Sequence, residues 1–168
     1  MDIKAFYSLT YGVYIVSSLD DKRPVGCVAN SVMQITAEPP LIAVSINHEN
    51  FTNSCIEKTK RFCITVLGEN INPLVIGIFG FRSSKDFDKF RTVKYELKQN
   101  LPVVSEGCSY FVCELVSKAE TETHTVFIGK VIDAEMLSSD TPMTYSYYQR
   151  VIKAKTPKNA PTYIKEQK

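Results

Sequence analysis

Several short stretches of this chain hold residue types at spacings that can do chemistry. Cys27-Val28-Ala29-Asn30-Ser31-Val32-Met33-Gln34 brings two carboxamides and a hydroxyl close together. Asn30 and Gln34 each supply a donor and an acceptor, a set that suits the polar edge of a flat heterocycle; the same residues also make an ordinary bend between strands. Ser45 to Ser54 reads as a strand running into a helix start. Open amides there, with the Thr52 and Ser54 hydroxyls, either receive a phosphate or simply cap the helix. Arg82, Lys85 and Lys89 stand at spacings of three and four, so on a helix their cations can converge on a dianion. Asp86 and Asp88 lie among them, which fits a solvated face of ion pairs equally well. His124, one of 2 histidines, precedes the run Thr125-Val126-Phe127-Ile128-Gly129. An imidazole titrating near neutrality can donate to a carboxamide or move a proton, although lone histidines commonly do neither.

Other chemistries lack their residues. There is no G-x-S-x-G and no nucleophile paired with a histidine, which leaves a Ser/His/Asp hydrolase nothing to build on. Neither G-x-G-x-x-G nor a Walker A stretch occurs, so a nucleotide must bind by another route than a Rossmann or P-loop site. Cys27, Cys55, Cys63, Cys108 and Cys113 show no C-x-x-C pair; they read as reduced, partly buried small residues, with no metal site. With 20 basic and 18 acidic residues the net charge is +2, too balanced for a nucleic-acid surface. The N-terminus lacks a signal pattern and no apolar run reaches a membrane span, so the expected address is the cytoplasm.

The elements that must position these residues are mostly strands. Gly12 to Ser17 and Val25 to Ala29, joined through Asp20-Asp21-Lys22-Arg23-Pro24, predict a hairpin. Val32 to Thr36 and Leu41 to Ile46 follow around Glu38-Pro39-Pro40, with further strands expected at Phe62 to Leu67, Tyr110 to Lys118 and Val126 to Ala134. Short β segments without strand-helix alternation favour an antiparallel barrel over a doubly wound sheet. Helices are few: one begun by a Ser54/Glu57 capping box and ending near Lys60, one begun at Asn72-Pro73 and ending near Gly77 or Gly80, and one through Ser83 to Phe90. Beyond about Thr141 the composition turns Tyr-rich and then Lys/Pro-rich, and an extended tail is expected over 146–168, packed on the domain or on a partner. The rest, 1–145, is expected to be one domain of a length that buries a real core.

In order and spacing, Ala29-Asn30-Ser31, Gln34-Ile35-Thr36, Pro39-Pro40, Val44-Ser45-Ile46-Asn47, Asn50-Phe51-Thr52, Phe62 to Leu67, Phe79-Gly80, Asp88-Lys89-Phe90, Leu101-Pro102-Val103 and His124 to Val131 resemble the flavin-reductase-like FMN-binding split-barrel family. Tyr147-Tyr148 and Lys158-Asn159-Ala160-Pro161-Thr162-Tyr163 are most similar to its flavoredoxins and clostridial-type reductases. Some such relatives run on into a rubredoxin domain; this chain stops at Lys168, so an acceptor of that kind would be a separate protein.

The resemblance implies a mainly β, Greek-key split barrel that forms a homodimer and holds FMN noncovalently near the subunit interface. The family's binding segments fall on 28–34, 45–52 and 82–90. They imply Asn30, Ser31 and Gln34 around the ring and ribityl chain with Ser45 beside them, Thr52, Arg82, Lys85 and Lys89 at the phosphate end, and Ala29, Asn50 and Phe90 as further cofactor-binding residues. His124 is the implied catalytic residue, although the Gly-Asp-His common in relatives is Glu122-Thr123-His124 here. The implied activity is electron transfer from NADH or NADPH through FMN to free flavin, a metal complex or a redox protein such as a separate rubredoxin or ferredoxin. The alternatives are a flavoredoxin-type carrier reduced by a protein donor and a non-catalytic flavin-binding protein.

Overall fold

The computed structural model describes residues 1–163. Among these residues there are nine strands: β1 (Tyr14–Asp20), β2 (Arg23–Ala29), β3 (Val32–Thr36), β4 (Leu41–Asn47), β5 (Arg61–Val66), β6 (Tyr95–Lys98), β7 (Leu101–Val104), β8 (Ser109–Glu120) and β9 (His124–Met136). Three α-helices, α1 (Phe51–Thr59), α2 (Pro73–Phe81) and α3 (Tyr145–Arg150), connect or follow them. All pairings are antiparallel, and seven strands form one sheet in the order β2-β1-β5-β8-β9-β4-β3, with β6 and β7 a separate hairpin.

The sheet order itself shows how the barrel closes. Strands β2 and β3 are the two outer edges of the sheet, yet only Asn30 and Ser31 separate them in the chain. A link that short spans no more than about 11 Å, so the sheet must curl until its edges face one another. The seam of this split barrel therefore falls at Asn30-Ser31, where the Ser45 N–H of β4 donates to the Ser31 carbonyl at 3.1 Å.

The core follows from the two-residue period of strands. On β1, Val16 faces the barrel interior with Val44, Ile46, Ile64, Phe62 and Phe127, and Ile56 of α1 plugs one end. Its neighbour Ile15 faces outward, yet it too is fully buried, because Val75, Ile76 and Phe79 of α2 and Tyr148 of α3 cover that side. All five cysteines are buried and unpaired.

The strand pattern expected from sequence is present, with Gly12 making only an isolated bridge to Thr144 before β1. The helices depart further from expectation. Helix α1 starts at Phe51 with Asn50 as its N-cap residue, and Ser54 donates to the Phe51 carbonyl from within the first turn instead of capping. Helix α2 begins as the Asn72-Pro73 pair predicts, with the Asn72 side chain accepting from the Leu74 N–H, but runs through Gly77 and Gly80 to Phe81.

The helix expected over Ser83 to Phe90 does not form; only a single 3-10 turn occurs, at Lys89–Arg91. The cause is tertiary. Edge strand β2 leaves the N–H and C=O of Gly26 pointing away from β1, and the Ser84 hydroxyl accepts from the former at 3.2 Å and donates to the latter at 2.9 Å. Arg23 donates to the Ser84 carbonyl at 2.7 Å. Satisfying a buried strand edge in this way outweighs the weak helix preference of an eight-residue stretch. The segment after residue 145 is likewise not wholly extended: Tyr145–Arg150 is helical, capped by the Thr144 side chain, and only then does the chain run irregularly to Tyr163. Residues 164–168 of the expected tail lie outside the described residues.

Candidate functional site

A cleft of about 400 Å³ opens between the end of β2, the start of α1 and the loop after α2. Cys27, Thr52, Gly80, Arg82, Ser83, Ser84 and Lys89 line it, and Lys158 and Asn159 close it from the C-terminal segment. One acid, Glu49, sits on its rim.

Lys89 sets the electrostatics. Its side chain is almost wholly buried, 2% exposed, and its ammonium donates to the carbonyls of Gly26 at 2.7 Å and Phe79 at 3.0 Å. No carboxylate pairs with it among the described residues. Burial of this unneutralised charge pulls its pKa down to about 8. Beside it stands the first turn of α1, where Thr52 is buried and the Asn50 side chain makes no capping bond. The Asn50 oxygen instead accepts from the Asn159 side chain at 3.2 Å. Amides of an uncapped helix start and a buried cation without a counter-ion together make a receptor for an anion.

The remaining cations divide. Arg82 is exposed, lines the cleft and lies 4.5 Å over the Phe87 ring. Lys85 is exposed and lies outside the cleft lining; without a helix over 83–90, the three- and four-residue spacings do not bring the cations to one face. Phe90 is buried against Phe79 and Tyr95, so it supports the loop from beneath.

The seam residues form a second cluster under the C-terminal segment. Asn30 is buried; its amide donates to the Thr162 hydroxyl at 2.8 Å, while its side-chain oxygen is buried without a partner among the described residues. Ala29 and Asn30 meet Pro157 and Ala160 across a small gap. The Ser31 hydroxyl donates to the Ser45 carbonyl at 3.2 Å, tying the residue before β3 to the neighbouring strand β4 beside the seam. Gln34 lies on the exposed edge strand and turns its amide onto the Thr36 carbonyl at 3.3 Å, away from this cluster.

His124 opens β9 opposite Asn47 of β4. Its Nδ1 lies 2.8 Å from the Thr123 hydroxyl, and its Nε2 is buried with no hydrogen-bond partner among the described residues. Burial holds the imidazole below its ordinary pKa, opposed by the Asn159 main chain and reinforced by His48. Asn159 thus stands between Asn50 and His124, two candidates far apart in sequence. Ser83 and Ser84 lie within the expected 82–90 segment, whereas Cys27, Lys158 and Asn159 line the cleft without having been singled out as site residues; the Lys158 to Tyr163 motif was the available signal for the last two.

The family model described as "Flavin reductase like domain" matches residues 6–155. The chain is 43% identical over 165 residues to a high molecular weight rubredoxin of Moorella thermoacetica, covering 97% of this chain and 72% of that protein. It is 38% identical over 166 residues to a ferric-chelate reductase (NAD(P)H) of Archaeoglobus fulgidus, covering 98% of each. Among solved structures, an NADH:FAD oxidoreductase of Streptomyces globisporus superimposes with a TM-score of 0.77 at 22% identity, covering 84% of each chain, a likeness of fold.

Proposed function

Because the chain belongs to the flavin reductase-like family of oxidoreductases, we propose that it holds FMN noncovalently in this cleft and carries electrons from NADH or NADPH to an acceptor. The observation that carries the reading is Lys89, a buried ammonium beside an uncapped helix start with no carboxylate paired to it among the described residues. A phosphate monoester, close to a dianion at neutral pH, supplies the missing charge. The residues present therefore fit the phosphate end of the cofactor.

In this reading Thr52, Arg82 and Lys89 hold the phosphate, with the Phe51 and Thr52 amides completing the cradle. Asn50 shapes the rim. Ala29, Asn30, Ser31 and Ser45 lie toward the ring, where the unpartnered Asn30 oxygen offers an acceptor to a flavin edge N–H. Gln34, Lys85 and Phe90 take no direct part. Bound flavin supplies hydride acceptance and onward electron release; the chain supplies orientation and electrostatics. His124, whose imidazolium form is disfavoured by burial, presents Nε2 to a nicotinamide carboxamide or to a proton in transit.

The similarity to a protein named ferric-chelate reductase (NAD(P)H) supports a nicotinamide donor and a metal complex among the acceptors. The similarity to a protein named high molecular weight rubredoxin favours a second reading, an electron carrier that exchanges with a redox protein such as rubredoxin or ferredoxin. Exposed Met33 and Ile35 on edge strand β3 and exposed Val116 on β8 support a homodimer, which the elution volume of the purified protein tests. Five unpaired cysteines suit a reducing cytoplasm.

An anaerobic visible spectrum before and after NADH, then NADPH, tests the function. A yellow protein that bleaches promptly is the reductase; a yellow one that bleaches only with a reduced protein donor is the carrier. A protein that stays colourless after incubation with FMN and desalting overturns both.

A further inference from the structure

The C-terminal segment reaches the cleft at one place, and it brings a cation. Pro157 is buried, and it packs so tightly on α2 that a Cβ added to Gly80 would meet its ring at 2.9 Å. Two residues later the Asn159 side chain donates to Asn50 at 3.2 Å. Thr162 then accepts from Asn30 at 2.8 Å. Upstream, the Tyr148 hydroxyl donates to the Lys155 carbonyl at 2.9 Å and Tyr145 bonds Thr156 at 2.6 Å. Lys158 is thereby held between two anchors, and it lines the cleft with Arg82 and Lys89.

Its own side chain is exposed and forms no ion pair among the described residues. Glu49 is the one acid on the rim against three cations, so the cleft keeps an excess of positive charge. Lys85, by contrast, lies outside it. We infer that Lys158, delivered by the C-terminal strap over residues 155–162, is the third phosphate-holding cation of the site, in the place that Lys85 does not fill. The strap is then part of the cofactor site, and its hydrogen bonds to Asn50 and Asn30 are the means by which it is positioned.

This inference rests on the FMN reading above, and the test separates the two. Dissociation constants for FMN and for riboflavin, which lacks the phosphate, are measured by quenching of flavin fluorescence at low and raised salt. Lys158→Ala raises the FMN constant by about fivefold, as expected for a largely exposed charge contact, leaves riboflavin binding unchanged and flattens the salt dependence of FMN binding. Lys158→Arg restores the FMN constant to within about twofold, because the charge is kept. A Lys158→Ala protein that binds FMN as the wild type does, while the wild type still prefers FMN over riboflavin, overturns the role of Lys158 and leaves the cofactor reading standing. A wild type that does not distinguish FMN from riboflavin overturns the phosphate cleft itself, and this inference with it.

Discussion

The ammonium of Lys89 lies 2.7 Å from the carbonyl oxygen of Gly26, so the outer edge of β2 is satisfied by a charged side chain from a loop 63 residues further along the chain. That contact fixes the loop and at the same time leaves a positive charge in the wall of the cleft. Replacing Lys89 with Met keeps the volume and removes the charge. The FMN dissociation constant is expected to rise by about ten- to hundredfold, read by flavin fluorescence titration.

The depressed pKa of Lys89 has a pH consequence whose sign is fixed. With a folded value of about 8 against an ordinary 10.5, the unfolded chain binds more protons at this site between those limits. Stability of the flavin-free protein therefore gains a contribution that grows from about pH 8 to 10.5 and is lost as pH falls through about 8. FMN affinity runs the other way and weakens above about pH 8 as the ammonium deprotonates. Urea unfolding and FMN titration across pH 7 to about 10.5 check both, and Lys89→Met abolishes both dependences.

Arg82 and Lys85 separate the structural reading from one based on spacing. Arg82→Ala is expected to raise the FMN constant by about threefold to tenfold. Lys85→Ala leaves it within about twofold, since a solvated lysine outside the cleft contributes little. Equal losses in the two variants would require Lys85 to swing into the cleft when the cofactor binds.

His124→Gln is expected to leave FMN binding unchanged and to slow reduction by NAD(P)H by about tenfold or more, followed by anaerobic stopped-flow absorbance. Because burial lowers the imidazole pKa from its ordinary value, any His124 inflection in the wild-type rate is expected on the acid side of that value. An unaltered reduction rate in the variant removes His124 from the mechanism.

Gly129 on β9 tests the barrel's packing apart from its chemistry. A Cβ there would meet the Phe62 ring at 2.5 Å and the Cys113 Cβ at 2.7 Å, both in the fully buried interior. Gly129→Ala is expected to destabilise the fold by about 1–3 kcal/mol through overpacking, measured by urea unfolding.

Strand positions, the β1-β2 hairpin and the start of α2 are legible in the sequence because they depend on local alternation, turn residues and the Asn72-Pro73 pair. The order of the quoted motifs carries the family resemblance, and with it the expectation of a barrel and of Thr52 and Lys89 near an anion. Sequence alone cannot decide which cations share a face. The residues from Ser83 to Phe90 carry helix-like spacing, but Ser84 and Lys89 are drawn instead onto the unpaired backbone of Gly26, and that demand exists only once β2 has become a sheet edge. The same long-range closure excludes Lys85, buries Phe90, and lays Lys158 and Asn159 over a helix start more than 100 residues earlier in the chain. Local pattern determines the elements; the burial of backbone groups at the barrel's seam and edge decides which side chains meet in the site.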